Sequence, residues 1–401
     1  MMIVVGLESC VDVWVTFPNL NGFEGFAREY DGPLTSHVKD AYSAVREGVG
    51  GEVPIDGKAN EARELIEAAS DRGAKVKQAL GGNGAQETAA FKALGSDVAF
   101  IGGFSPSQVT QLPSKSREFF EGADLSFAYS SGEYRPISVI LQARGTNRYI
   151  LCEGQGRRIE QLRPYVRKLS EVIGRVLDRY GKPDMMNLVG WHVLFANGIS
   201  DRDLRLVKKV IREIRGVVDS PLFTDAGGLG AFGEGEKHRL CQIYSLFDIL
   251  SVNEDEVMEV SRTLGSEAED EFRAMHDILE SSEKPSTIWL HSTDYQASLS
   301  TQYGRELLER AQTAAATAGV HRVENGAYPT LEELRGWVRV ENYSEEGLKV
   351  VERAEREYGS KIGSAELVVT PCYKARSFKS TVGAGDTAAA AYAYVIAGGE
   401  F

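Results

Sequence analysis

Residues 1–7 (MMIVVGL) are a continuous apolar run broken by a glycine, which predicts a short buried strand. Along 11–17, Val11, Val13, Val15 and Phe17 alternate with Asp12, Trp14 and Thr16, the period of a strand with one open face. Helical spacing follows at 60–73, closed by a glycine, and again at 87–95. Residues 97–103 return to the buried-strand pattern. Three strand-like stretches then cover 124–130, 134–143 and 147–153, the last two joined around Gly145 as a hairpin.

From residue 158 the rhythm becomes helix, then strand. Leu162, Val166, Leu169, Ile173 and Val176 mark one face of a long helix, and 186–193 reads as a strand. Ser200 with Asp203 three residues on is a weak capping-box signal. Strands at 221–225, 248–253, 287–291 and 366–370 are separated by helices, the order of parallel βαβ units with helices on both faces. The fold class expected is therefore α/β, a doubly wound and mostly parallel sheet. The half-polar strands do not fit a sheet covered on both sides. They predict a separate small antiparallel sheet, a lid of 12–55 and 124–155 beside a large unit of 1–11, 56–123 and 156–401. No internal repeat is visible, and 320–345 follows no period.

Composition narrows the function classes. The chain has 401 residues, 42% apolar and 26% charged, which is globular and enough for a sizeable core. Its 45 Lys+Arg against 58 Asp+Glu leave a formal charge of −13, which argues against a general nucleic-acid binder. A local pocket can still take an anion. The four cysteines are far apart and form no CxxC pair, so neither a zinc site nor a disulfide framework is expected. The N-terminus lacks a basic region and the longest apolar run, 388–397, is too short to span a bilayer, so a cytoplasmic protein without membrane partners is expected.

The strongest chemical signal is Lys379-Ser-Thr-Val-Gly383-Ala384-Gly385-Asp386-Thr387, followed by a small-residue helix. Two glycines before a helix can turn backbone N–H groups into an anion hole for phosphoryl oxygens. Asp386 at the same place can accept the proton of an alcohol that attacks phosphorus. A plain glycine turn capped by Asp386 is the competing reading. Gly228-Leu-Gly230-Ala-Phe-Gly233 formally fits a dinucleotide fingerprint, but its glycine run is loose and charged residues open the next helix. A loop at the rim of a site describes it better.

Thr-x-Gly-x-Gly-Asp before an alanine-rich helix resembles the signature of ribokinase-superfamily sugar kinases, and the ordered set of motifs resembles one branch, the archaeal ADP-dependent glucokinase and phosphofructokinase family. Leu80-Gly81-Gly82-Asn83-Gly84-Ala85 is similar to the family's sugar-binding segment, and residues 105–112 to the stretch after it. Gly145-Thr-Asn-Arg148 resembles the lid strand that carries an arginine. Ser251-Val-Asn253-Glu254-Asp255-Glu256 resembles the Asn-x-x-Glu magnesium motif, and His291 lies on a strand like the family's.

The resemblance implies roles. Asp386 is the base, Gly383, Ala384 and Gly385 form the anion hole, and Arg148 neutralises the transferring phosphoryl group. Asp12, Glu52, Gly82 and Asn83 bind the sugar. Asn253, Glu256, Asp225 and Asp386 hold Mg2+ or another divalent cation. ADP is the phosphoryl donor. Where the family has His-x-Glu, this chain has Phe223-Thr224-Asp225, which puts that part of the metal set in doubt. Read without the family, Asn253 and Glu256 are a helix cap and its capping box, Asn83 an opening turn, and Glu52 and Arg148 solvated charges. The acceptor is left open among glucose, fructose 6-phosphate and a pentose phosphate; a phosphorylated one needs cationic lid groups, for which Arg46, Arg135 and Arg148 are available, as are Lys374 and Lys379 by the nucleotide side. An ATP-dependent carbohydrate or nucleoside kinase and a catalytically silent sugar-binding regulator are the alternatives.

Overall fold

The apolar run at the N-terminus forms β1 (Met2–Leu7), and it becomes the switch point of a nine-stranded sheet. In the computed structural model, residues 1–55, 57–103, 109–110, 114–129, 137–153, 164–192, 198–227, 229–282, 285–337, 342–379 and 382–401 are described. Five strands supply a second sheet: β2 (Cys10–Phe17), β3 (Gly51–Pro54), β4 (Lys75–Gly81), β6 (Ile137–Ala143) and β7 (Arg148–Glu153). The remaining strands of the large sheet are β5 (Asp97–Phe100), β8 (Met185–Val189), β9 (Leu222–Asp225), β10 (Ile249–Val252), β11 (Thr287–His291), β12 (Tyr295–Ser300), β13 (Lys361–Ile362) and β14 (Ala365–Pro371).

The large sheet runs β13-β14-β12-β11-β10-β9-β8-β1-β5. From β5 to β11 every pair is parallel; β12, β14 and β13 are added antiparallel. Strand alternation sends side chains to two cores. Val4, Met186, Leu188, Leu250, Ile288 and Leu290 face one, with the helices Leu169–Tyr180, Asp201–Val217, Glu234–Tyr244 and Glu254–Thr263. Ile3, Val5, Phe223, Ile249 and Trp289 face the other, with Asn83–Ala93, Arg305–Asn325 and Ala384–Ile396. The last two of these helices bury alanine faces on each other. The ideal Cβ of a residue at Gly319 would lie 3.7 Å from the Ala384 carbonyl, so small side chains set that spacing.

The doubly wound sheet is as expected, but the second unit differs in three ways. Its sheet, ordered β3-β7-β6-β2-β4, is mixed: β2 pairs β6 and β3 pairs β7 in parallel. It is not all-β, because helices Leu20–Glu29, Thr35–Arg46 and Ala59–Asp71 cover one face. Its boundaries move. Helix Ala59–Asp71 and β4, expected with the large unit, belong to this sheet through β4's ladder with β2. Asp124, expected in the lid, instead bridges Ala99 of β5. Pairing across long sequence separations decides these points, and a local pattern does not carry it. The stretch 105–112, Arg135 and Gly228 lie wholly or largely outside the described residues.

Gly84 lets the helix Asn83–Ala93 rest on the backbone after β1, where Ala85 N–H donates to the Glu8 carbonyl at 3.2 Å. An ideal Cβ at Gly84 would lie 2.8 Å from that carbonyl oxygen. Gly84→Ala should therefore lower unfolding free energy by about 1–3 kcal/mol, the usual cost of overpacking, measured by denaturant titration; an unchanged midpoint would contradict the close approach.

Candidate active site

Phe223 and Asp225 share a face of β9, Ile249 and Ser251 a face of β10, and Trp289 and His291 a face of β11. Because the first of each pair packs in the core with helix Ala384–Ile396, the second is delivered to the same side at the strand ends. This is the carboxyl edge of a parallel sheet, where open α/β sheets take their ligands. Asp225 accepts the Ser251 hydroxyl at 2.8 Å and the Gly227 N–H at 3.1 Å, and lies 3.8 Å from His291 Nε2. Burial alone would raise the Asp225 carboxyl. The bond and charge of His291, the Ser251 hydroxyl and the charge of His192 outweigh it, so Asp225 is held below the usual range. Burial would lower His291, but Asp225 and then Glu256 and Glu254 hold it up. Where the family has a histidine, Phe223 is a core residue against Trp289; an imidazole reaches Asp225 from β11 instead.

Helix Ala384–Ile396 opens from Gly383, whose φ of 73° is left-handed, so a β-carbon is disfavoured there. First-turn N–H groups have no partner within the helix, and the helix dipole adds positive potential. Asp386 stands in that first turn. Burial and then the charges of Asp225 and Glu8 push its carboxyl up to about 7, with His291 and Arg148 opposing. The charge of Arg148, on β7, is thus felt at Asp386 from the other sheet.

Asn253 and Glu256 form the capping box that local reading allows. Asn253 Oδ1 accepts the N–H groups of Asp255 at 3.0 Å and Glu256 at 2.9 Å, and Glu256 Oε2 accepts the Asn253 N–H at 2.9 Å. The cap engages the Asn253 oxygen and one Glu256 oxygen and leaves Oε1 of Glu256. Burial and then Asp225 push Glu256 up to about 7. Among the described residues no three of His, Cys, Asp and Glu stand together as a metal cage. The donors that are present, Asp225, Glu256 and Asp386, suit a cation that keeps much of its water shell and binds through one or two carboxylates.

On the second sheet the register puts Asp12, Ser138, Glu52, Cys152 and Arg148 on one face, opposite the helix-covered one. Asp12 is buried and its Oδ1 lies 3.5 Å from Cys10 Sγ. Glu52 is exposed and accepts the Cys152 thiol at 2.8 Å. Lys75 and Lys77 of β4 share this face and are exposed. Arg46 does not: it ends a helix on the covered face and meets Tyr42 and Glu47. Asn83 opens its helix half-buried, after Gly82 at φ 88°. Asp386 feels the charges of Asp225 and Arg148, and Glu256 that of Asp225, whereas Glu52 is linked to Cys152 on the open face of the second sheet.

Four residues escaped the sequence reading. Glu8 follows β1 and is buried beside Asp386. Glu87, also buried, accepts the Asn187 amide; burial and then Asp386 and Asp225 push it well up. Tyr328 comes from the stretch without a period and is raised by burial, with Asp386 and Asp12 both adding. Arg322 lies over it, with its guanidinium 4.2 Å from the ring centroid. The available signals were slight: Glu87 interrupts a small-residue helix, and Asn187 an apolar strand.

The model of the ADP-specific phosphofructokinase/glucokinase conserved region matches residues 1–395. The chain belongs to this family. Its members are ADP-dependent sugar kinases, phosphotransferases with an alcohol acceptor, and this chain is one of them. Among solved structures it is similar to a hypothetical ADP-dependent phosphofructokinase from Pyrococcus horikoshii OT3 at 14% identity and a TM-score of 0.74, covering 99% of this chain and 98% of that one. An ADP-dependent kinase in complex with fructose-6-phosphate and ADPβS gives 15% identity and 0.71 over 99% and 94%. The last common ancestor of ADP-dependent phosphofructokinases from Methanosarcinales gives 16% and 0.69 over 100% and 94%. At such identities these likenesses speak for the fold. The search of curated proteins found no match. Among the described residues no helix is long and apolar enough to cross a membrane.

The raised Asp386 carries a stability signature. Its folded pKa of about 7 exceeds the unfolded value of roughly 3.9, so between them the folded state binds more protons and stability falls as pH rises. Asp386→Asn removes that penalty. Its thermal midpoint should exceed the wild type's at pH 8 by several degrees, on the order of 2–8 °C, and the difference should close near pH 4, as read by calorimetry at both pH values.

Proposed function

We propose that this family member transfers the β-phosphoryl group of ADP to a hydroxyl of a phosphorylated sugar of the fructose 6-phosphate class, with Asp386 as the base. The observation that carries the reading is a carboxyl raised to about 7 in the first turn of a helix, where the N–H groups have no partner within the helix. A base with a pKa near the working pH removes a proton without being protonated most of the time. The N–H groups of Gly383, Ala384 and Gly385 take up charge that spreads over the phosphoryl oxygens, and Arg148 adds a planar cation from the lid side. Asp12 and Asn83 orient the acceptor hydroxyls, and Tyr328 feels the charges of both Asp12 and Asp386. A divalent cation such as Mg2+, held by Glu256 and Asp225 through water, would neutralise phosphate charge. The lid sheet over the site excludes water from the transfer.

The phosphorylated acceptor is supported by Lys75, Lys77 and Arg148 on the lid's open face and by the fructose-6-phosphate complex of a kinase with this fold. One observation favours glucose instead: Glu52 on the same face would accept sugar hydroxyls and repel a phosphate. A panel of glucose, fructose 6-phosphate and ribose phosphates against ADP and ATP, reading AMP or ADP release, separates them. AMP release with fructose 6-phosphate is expected. Turnover with ATP and none with ADP would remove the donor assignment, and sugar binding without turnover would leave a silent regulator.

Asp386→Asn should lower kcat by about 10²–10⁴-fold; a variant of undiminished rate would remove the base. In the wild type, kcat/KM should fall as pH drops through about 7, where Asp386 and Glu256 take up protons. Raising the Mg2+ concentration should shift this acid limb to lower pH, because a nearby cation favours the ionised carboxylate. An acid limb insensitive to Mg2+ would place the metal elsewhere.

A further inference from the structure

We infer that Arg322, with Tyr328 and Gln86, is a positioning residue that sets the direction of the anion-hole backbone and ties it to the sugar-side helix. The inference rests on reading 383–386 as the phosphoryl-binding turn. Arg322 sits in the last turn of helix Arg305–Asn325 and is 7% exposed. Its Nε donates to the Val382 carbonyl at 3.1 Å and its Nη1 to the Gly326 carbonyl at 2.7 Å. The peptide group is planar and trans, so its C=O and N–H point in opposite directions. Holding the Val382 carbonyl toward the guanidinium therefore fixes where the Gly383 N–H points.

The second half of the device is the ring below the guanidinium. Gly326 caps the helix with φ 68° and turns the chain back, which brings Tyr328 under Arg322 at 4.2 Å. A flat cation held between two carbonyls and an aromatic face has few orientations left. The Tyr328 hydroxyl donates to Gln86 Oε1. Gln86 lies on the helix that Asn83 opens, three residues from it. The same Oε1 would be 2.7 Å from a β-carbon at Gly383, and Arg322 Nε 3.5 Å. Gln86, Arg322 and the anion-hole glycine are therefore packed into one unit. Acceptor helix and phosphoryl turn move together through it, which is what a transfer between the two requires, since small misplacements cost rate steeply.

The test compares Arg322→Met, Arg322→Lys and Tyr328→Phe with the wild type in ADP-driven transfer, with thermal midpoints and orthophosphate affinity by calorimetry. Arg322→Met should lower kcat by about 10–100-fold, less than the loss of a whole oxyanion donor, with the sugar KM changed little. Arg322→Lys should recover part of the rate, and Tyr328→Phe should lose less than Arg322→Met. A normal kcat in folded Arg322→Met overturns the inference. So does a loss spread evenly over kcat, KM and thermal midpoint with no recovery by lysine. If Arg322→Met does not fold, a normal kcat in both other variants overturns it, and a reduced kcat at unchanged KM supports it. A wild type that turns over no sugar defeats the proposed function instead, and orthophosphate then decides: weaker binding by the variants supports the clamp, and equal binding overturns it.

Discussion

Five carboxyl groups, Glu8, Glu87, Asp225, Glu256 and Asp386, converge on the edge of one sheet, and the chemistry of the site follows from their mutual repulsion. For Glu87, Glu256 and Asp386 burial makes the ion costly, and neighbouring carboxylates make it costlier. The chain resolves the conflict unevenly. Asp225 is given a hydroxyl, an N–H and an imidazole, and stays ionised. Glu87 is given a single amide N–H and is held well above the usual carboxylate range. Asp386 and Glu256 are left between, near neutrality. Structural ion pairs also perturb titration, but here the two groups each stand in the first turn of a helix at the carboxyl edge of the sheet, the arrangement that acid–base work needs.

The scaffold that imposes this crowding is simple. Alternation along β9, β10 and β11 commits Phe223, Ile249 and Trp289 to a core against two alanine-rich helices, so the next residue but one on each strand must surface at the edge. Small side chains let those helices lie close enough for the first turn of Ala384–Ile396 to reach the strand ends. The second sheet carries Arg148, whose charge reaches Asp386. Three helices fill one of its faces, and Asp12 and Arg148 lie on the other.

Much of this was written locally. The parallel strands, the glycine turn before Ala384–Ile396, the position of Asp386 and the cap at Asn253 depend on neighbours within a few residues, so periodicity and turn chemistry are enough to find them. Helices Leu20–Glu29 and Thr35–Arg46 went unread because the alternating strand before them set the expectation of an all-β lid.

What the sequence determined by itself is the class of fold and the one motif that names the chemistry, since both are short-range properties of the chain. Tertiary structure alone decided that β4 joins the lid, that Asp124 does not, and that an imidazole from β11 serves Asp225. It also decided that Arg322, from a stretch without any period, holds the Val382 carbonyl at the glycine turn, with Tyr328 against its guanidinium. Those facts depend on contacts between residues tens to hundreds of positions apart. Such contacts are fixed by packing the whole chain at once, and no window of sequence contains them.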